Sequence, residues 1–520
     1  MTEFTTHFQN HIAFKSLDDF QWNQNLVQLI PVSWMITYSC IPLGEEGNIV
    51  HVAFHDDSFL EHVEELELFL GKRIQPVRAP KDKIEACLKE SETSQQVLNE
   101  ATSGFKPQYS QNYEEEEVLD ANRLMDGQSP LVRLVDTLIY SALERRASDI
   151  HIETQSRQVK VKYRIDGVLY DAMEPLDKSH HSTVISRVKV MAQLDIAEKR
   201  IPQDGRFKLQ IHGRPIDFRV SIMPTIHGED AVIRILDKES TNESFKELNL
   251  KILGFEGHLH RQLSKSITEP YGMVLVTGPT GSGKTTTLYA CVSEIKNDED
   301  KIVTIEDPVE YQLSGITQIP VHEKKGLTFA RGLRSILRHD PDKILVGEIR
   351  DTETAQIAIQ SALTGHLVFT TVHANNVLDV MGRFVNMGVD LHNFVSALNC
   401  IVAQRLVRLI CDSCKKPDQP EAALIRRSGL DWEHWKNVVF YKGSGCLSCN
   451  GTGYRGRTVI AELLILTDDL REAIKDRLPV REIKRLAAET GMVFLREAAL
   501  EKLKQGVTTL HEINKVTFIE

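Results

Sequence analysis

Long apolar runs are missing from this chain. Among its 520 residues no stretch approaches the ~20 consecutive apolar residues that a membrane span requires. The first residues, from Met1 to Phe8, lack the basic start and apolar centre of a secretory signal. The expected location is the cytoplasm, with membrane association peripheral and made through partners. An excess of positive charge is missing too: 62 Lys and Arg stand against 73 Asp and Glu, for a net charge of −11. That balance, with no stretch that interleaves aromatic and basic residues, argues against a nucleic-acid partner. Scattered cysteines are few. Cys40, Cys87, Cys291 and Cys400 read as small core residues, and the other four of the eight fall in one group.

What is present is ordinary for a soluble chain of two to four domains, at 41% hydrophobic and 26% charged. Residues 1–90 mix strand-like runs (48–54, 72–77) with helical ones (59–70, 81–89) and form a small α+β domain without a motif that carries chemistry. Docking is its expected role. Residues 91–125 are polar and weakly patterned, end in the acidic run 114–117, and read as a linker. Residues 126–240 form a second α/β domain. A helix is expected over 131–143 and another over 182–194. Strands are expected at 149–153, 159–165, 206–211 and 216–220, with hairpin turns at Asp166-Gly167 and His212-Gly213. Arg164, Arg200, Arg206, Arg219 and Arg234 lie on or near these strand ends. Each alone reads as a solvated side chain. As a group they are candidates to stabilise charge on a transferring phosphoryl group.

Residues 241–520 carry the chemistry. Residues 278–285 read Gly-Pro-Thr-Gly-Ser-Gly-Lys-Thr, which meets the phosphate-loop pattern G-x-x-x-x-G-K-[ST] at every fixed position. The loop follows an apolar run at 272–277 and precedes a helical stretch, so backbone N–H groups and a helix N-terminus would face an anion. Gly278, Pro279, Thr280, Gly281, Ser282 and Gly283 form the cradle. Lys284 would reach the β- and γ-phosphates of ATP, and Thr285, followed by Thr286, would sit on Mg²⁺. A second apolar strand, 301–305, ends in Glu306 and leads to Glu310. A third, from Lys343, delivers Glu348. A fourth, 367–372, is flanked by His366 and His373. Acids at strand C-termini beside a phosphate loop are where a parallel α/β sheet places its chemistry. Either histidine alone would also suit a core position. If the fourth strand runs parallel to the others, His373 faces the γ-phosphate edge. Residues 329–338 read as a basic amphipathic helix with Arg331, Arg334 and Arg338 on one face.

The grouped cysteines are Cys411, Cys414, Cys446 and Cys449, two CxxC pairs about 30 residues apart. This spacing indicates a closed structural Zn²⁺ site within 405–460, with a redox dithiol or a metal-free remnant as alternatives. Beyond it, 470–504 is helical in pattern.

With these motifs assembled, the chain resembles the ATPases that power type II secretion and type IV pilus assembly. The resemblance covers roughly residues 130–520. It rests on residues 146–153, 201–206 and 218–221, the phosphate loop, the acidic box 304–310, the Walker B segment 346–351, the histidine box from Thr364 to Asn375, the tetracysteine pair and residues 453–457. It implies a RecA-like ATPase domain working as a homohexameric ring, with ATP held between that domain and the preceding PAS-like one. It further implies Glu348 as the Walker B acid, Glu306 and Glu310 assisting the attacking water, and Arg219, Arg234, Arg334 and Arg338 as γ-phosphate contacts. The tetracysteine site points to an assembly or secretion motor, since retraction motors generally lack it. The single N-terminal domain, without paired Arg-Leu-Gly motifs for cyclic-di-GMP, is similar to the type II secretion ATPase of the GspE kind. Its partners would be inner-membrane proteins of the GspL and GspF kinds. Lys343, where the family has an apolar residue, is expected to leave its ammonium in solvent.

Overall fold

The computed structural model describes residues 130–211, 214–237 and 248–519, preceded by 40–47, 49–55, 72–81, 83–84 and a few isolated positions. The helix expected at 59–70, most of the one at 81–89, nearly all of the linker 91–125 and the turn 212–213 lie outside the described residues. In the N-terminal part Ile49–Phe54 lies between Cys40–Glu46, antiparallel to it, and Arg73–Arg78, parallel to it.

Residues 130–236 build a seven-stranded sheet. Asp149–Thr154, Gln158–Ile165, Gln203–Ile211, Arg214–Thr225 and Gly228–Leu236 are its long members, and every pairing is antiparallel. Helices Pro130–Glu144 and His181–Met191 bury Val135, Leu138, Ile139, Val184, Ile185 and Val188 against one face. The alternation along each strand sends the polar set to the other face. The turn at Asp166-Gly167 has both residues at positive φ, 49° and 86°, the two-residue geometry that suits the twist of a hairpin. The strand Gly228–Leu236 is additional to the sequence expectation. It doubles back from Arg214–Thr225 across a tight turn and pairs the far strand Asp149–Thr154.

A second seven-stranded sheet follows, in the order Thr317–Pro320, Ile302–Glu306, Lys343–Val346, Leu367–Val372, Gly272–Thr277, Leu398–Ile410, Tyr454–Ile465. All of its pairings are parallel except the last, between Leu398–Ile410 and Tyr454–Ile465. Helices cover both faces. Val274 and Val276 pack with Leu288 and Val292 of helix Lys284–Ile295, while Met273 and Leu275 join the core on the other side with Leu333 and Ala358. Strands buried on both faces read as continuous apolar runs, which is why 272–277 and 367–372 were visible in the sequence. The stretch 470–504 divides into helices Asp468–Lys475, Val480–Glu489 and Leu495–Lys504, and Leu510–Val516 follows. The breaks fall at Pro479 and Gly491, the second with φ 84°.

Lys343 departs from expectation. Its ammonium pairs with the Asp300 carboxylate, and its side chain is only 14% exposed.

The two sheets are joined through Arg408. Its guanidinium grips Glu512 with two hydrogen bonds, of 2.8 and 2.6 Å, stacks 3.9 Å from the Tyr454 ring and donates to the Tyr170 hydroxyl of the preceding domain. Beside it, Asp166 in the hairpin turn accepts the Gly456 N–H at 2.8 Å. Hydrogen bonds and charge from Arg408 and Lys515 outweigh burial and hold the Glu512 carboxyl down to about 2. This pair therefore stabilises the fold above the unfolded carboxyl range near 4.5, and the contribution fades as pH falls toward 2. Replacing Arg408 by Ala is expected to cost about 3 kcal/mol at pH 7, because it strands a buried carboxylate. Denaturation midpoints should show that cost shrinking below pH 4.5; a pH-independent cost would contradict the assignment.

Candidate active site

Four parallel strands end at one edge of the second sheet, and each end carries a residue expected from sequence. Thr277 leads into the phosphate loop, Glu306 closes its strand, Val346 is followed by Gly347 and Glu348, and Val372 is followed by His373. Their registers are level: Val276 pairs Thr371, Thr277 pairs Val372, and Val346 pairs Thr370.

The loop needs its glycines. Gly278, Gly281 and Gly283 have φ of 149°, 77° and 85°. A Cβ on Gly278 would meet the Gln404 carbonyl oxygen at 2.6 Å. Gly283 is the N-cap of helix Lys284–Ile295, so the first free N–H groups of that helix open toward the loop. The Lys284 ammonium folds back on the loop, donating to the carbonyls of Gly278 and Pro279 at 3.0 and 3.1 Å. Burial lowers its pKa; Glu348 raises it and Arg405 lowers it.

Glu348 is 18% exposed. It takes a 2.5 Å bond from Arg350 and lies 3.7 Å from the His373 Nε2. A carboxylate so placed, next to Lys284, can hold the shell of Mg²⁺ or orient a water. Burial and the Lys284 charge lower the His373 pKa, while Glu348 raises it. Neutral imidazole is thus the favoured form at pH 7. His366 sits at the start of the same strand, at the opposite edge, where its Nδ1 lies 3.0 Å from the Ser361 carbonyl.

Glu306 points inward. Buried to 2% exposure, its carboxylate accepts from Tyr289 at 2.5 Å, Thr304 at 2.6 Å and Gln318 at 3.1 Å. Burial and the carboxylate push the Tyr289 hydroxyl well up, so it remains a donor. Such a carboxylate fixes the strand end to helix Lys284–Ile295. Glu310 is half-buried nearby.

The arginines divide into two sets. Arg206 pairs Arg219, Arg219 pairs Arg234, Arg234 pairs Asp149, and Asp149 pairs Arg164, so one row crosses five strands of the first sheet. Like charges directly opposite one another disfavour pairing. Asp149 offsets part of this, accepting from Arg234 at 3.0 Å and lying 3.7 Å from Arg164. Arg206, Arg219 and Arg234 line a concavity of about 520 Å³ with Asp204 and Ser221. Arg334 and Arg338 sit instead in the part of the chain that carries the phosphate loop. Arg334 pairs with Glu353 at 2.5 Å and both partners are exposed; Arg338 donates to the Arg334 carbonyl from beyond helix Phe329–Ile336.

The four cysteine sulfurs lie within 4.8 Å of one another. Individual separations are 3.8 Å for Cys411–Cys446, 3.9 Å for Cys414–Cys449 and 3.7 Å for Cys446–Cys449. Four thiolates at ~2.3 Å from a tetrahedral metal would be about 3.8 Å apart. Two backbone N–H groups, of Cys446 and Gly453, point at the Cys449 sulfur at 3.2 Å. A Cβ on Gly443 would strike the Gly453 oxygen at 2.0 Å, so the knuckles close only with glycine. The donor set fits a closed metal centre away from the phosphate loop.

Several polar residues of this neighbourhood carry no sequence motif. Tyr289, Gln404 and Arg405 are identified by burial and partners alone. For Glu462 a signal existed: it is an acid inside the apolar run 459–464.

A doubly wound sheet with a phosphate loop at its switch point and an acid at the end of the next strand but one defines a P-loop ATPase. The family model "Type II/IV secretion system protein" matches residues 125–515, and the chain belongs to that family. An "MshEN domain" model matches residues 10–97. The chain is 39% identical over 502 residues to the Type IV pilus assembly ATPase PilB of Myxococcus xanthus, covering 96% of this chain and 88% of that one. It is 46% identical over 393 residues to the Type II secretion system ATPase E of Vibrio cholerae, covering 75% and 76%. The fold is shared with the ATPase DotB of Legionella pneumophila, at TM-score 0.52 and 20% identity over 74% of this chain and 95% of that one. The second sheet is thus RecA-like and the chain is an ATP-hydrolysing enzyme, which implies ATP and Mg²⁺. Among the described residues no helix is long and apolar enough to cross a membrane.

The charges around His373 make a signed test. In an NMR titration of histidine-labelled protein, His373 should titrate below 6.5. Lys284→Ala should move it up and Glu348→Gln should move it further down. The opposite order would show that the three groups do not share one field.

Proposed function

We propose that the chain is a ring-forming ATPase, by family expectation a hexamer, whose hydrolysis cycle drives protein movement through the type II secretion system. The observation that carries the proposal is the convergence of the phosphate loop, Glu348 and His373 on one sheet edge. In this reading Lys284 and the loop amides bind the phosphates, with Thr285 and Glu348 holding Mg²⁺. Glu348 orients the water, with Glu310 near it and Glu306 fixing the strand end. His373, kept neutral, senses the γ-phosphate. The row Arg206, Arg219 and Arg234 supplies positive charge when the domain of residues 126–240 closes over the nucleotide, and Arg334 and Arg338 supply it across a ring contact. A docking N-terminal region, cytoplasmic placement at the inner membrane, and partners of the GspL and GspF kinds complete the proposal.

A second reading is service in type IV pilus assembly. The alignment with the pilus ATPase favours it, since that alignment takes in 96% of this chain whereas the one with the type II ATPase takes in 75%. The cytoplasmic domain that stimulates turnover, from a secretion or a pilus platform, separates the two.

Turnover per chain should rise with protein concentration and with partner domain or acidic lipid, and Lys284→Ala should abolish it. Glu348→Gln should still bind nucleotide while turnover falls by about 10²-fold or more. Turnover at the Lys284→Ala level under every condition would instead make this a non-hydrolysing scaffold.

The cysteine centre is proposed to hold structural Zn²⁺. Mass spectrometry under native conditions should find one zinc per chain. Cys446→Ser should lose it and melt several degrees lower, while the phosphate loop still binds nucleotide; a wild-type chain purified metal-free with full stability would refute the site.

A further inference from the structure

The loop that carries His373 has no regular structure between Val372 and Asp379, yet its backbone is held at successive points by buried side chains from other strands. Thr277, at 0% exposure, accepts the Ala374 N–H at 2.9 Å, and its one hydroxyl proton is shared between the Val372 and Ala374 carbonyls, at 2.9 and 3.1 Å. Arg405, at 8% exposure, donates to the Asn375 carbonyl at 2.8 Å and to the Gln404 carbonyl at 3.0 Å. Glu462, at 3% exposure, accepts the Val377 N–H at 2.9 Å with one oxygen. Its other oxygen accepts the Leu495 N–H at 3.0 Å, in the first turn of helix Leu495–Lys504. Arg405 and Glu462 lie near enough to bias each other's charge.

We infer that Arg405 and Glu462 are positioning residues for hydrolysis: they hold the 374–377 backbone so that His373 stays against Glu348, and they tie that loop to the C-terminal helices. The inference rests on the reading above that His373 and Glu348 act on the γ-phosphate end of the site. Among the described residues no base lies within ion-pair distance of Glu462, although Arg405 and Lys484 are near enough to favour its charge, and a carboxylate buried in this way is costly to keep. Here both of its oxygens are used, one on each of two elements that would otherwise have no covalent or sheet connection to each other. The Leu495 amide is one of the orphan donors of a helix start, so Glu462 satisfies that helix and the loop with a single group. Arg405 works from the neighbouring strand: its fork spans two carbonyls that a lysine could not bridge in the same plane. The adjacent Gln404 donates to the Ser282 carbonyl at 2.7 Å. Neighbouring residues on one strand therefore hold the phosphate loop and the histidine loop.

The geometry makes a graded prediction. Glutamine at 462 keeps the shape but turns one acceptor into a donor facing an N–H group, so one of the two ties is lost. The assembled enzyme carrying Glu462→Gln should bind a fluorescent ATP analogue within about threefold of wild type. Its kcat should fall by at least about tenfold, as expected when a reacting group is displaced by a fraction of an ångström to an ångström. Combined with His373→Ala, it should add little to the loss that His373→Ala causes alone. Arg405→Lys should behave in the same way, and it serves as the second variant if Glu462→Gln does not fold. Losses that multiply in the double variant, an unchanged kcat in both single variants, or a collapse of nucleotide binding in both would overturn the inference while leaving the reading of His373 intact. A His373→Ala enzyme that turns over at the wild-type rate would remove that reading, and the inference with it.

Discussion

Parallel strands packed side by side expose their C-terminal ends at one edge, and this constraint organises the chemistry of the chain. Once Gly272–Thr277 lies between Leu367–Val372 and Leu398–Ile410, the residues following each strand are neighbours whatever their separation in sequence. Apolar burial on both faces fixes the strands, since a shift of one residue would turn a whole apolar set toward the wrong layer. The level register then brings Glu348 and His373 to the mouth of the phosphate loop. The loop itself adds a backbone condition: Gly278, Gly281 and Gly283 all have positive φ, and at Gly278 the Gln404 carbonyl also leaves no room for a side chain.

The strand Leu398–Ile410 does more than complete the sheet. Gln404 holds the phosphate loop, Arg405 holds the loop after Val372, and Arg408 reaches Glu512 and Tyr170. Cys411 then begins the cysteine centre. Its antiparallel partner Tyr454–Ile465 supplies Glu462 and stacks Tyr454 on Arg408. Nucleotide site, preceding domain, cysteine centre and C-terminal helices therefore meet along one pair of strands. In the proposed cycle, a change at the phosphate loop has a short path of hydrogen bonds to each of them. The arginine row on the first sheet keeps a mutual repulsion that Asp149 offsets only in part.

Much of this was legible before any coordinates. The phosphate loop, the strand-end acids, the histidine and the paired cysteines are local patterns with a physical meaning, and buried parallel strands announce themselves as apolar runs. What was hidden depends on partners far along the chain. The strand Gly228–Leu236 alternates well enough to be read, but its pairing with the distant strand Asp149–Thr154 is a matter of topology. The fate of Glu306 was invisible, because Tyr289, Thr304 and Gln318 converge on it only in the fold. Lys343 could not be told from a solvated lysine until Asp300 met it. Arg405 looked like an ordinary strand residue, and only its place inside an apolar run set Glu462 apart. The three helices within 470–504 could have been separated, since Pro479 and Gly491 stand at the breaks.

The central claim is that the phosphate loop and the loop after Val372 form one unit around the γ-phosphate. Amide hydrogen exchange of the assembled protein, with and without Mg²⁺ and a non-hydrolysable ATP analogue, addresses it directly. The account predicts slowed exchange on binding at residues 278–286, at 373–377 and at the start of helix Leu495–Lys504, and a smaller effect with ADP at the latter two. Protection confined to 278–286, identical with either nucleotide, would contradict it.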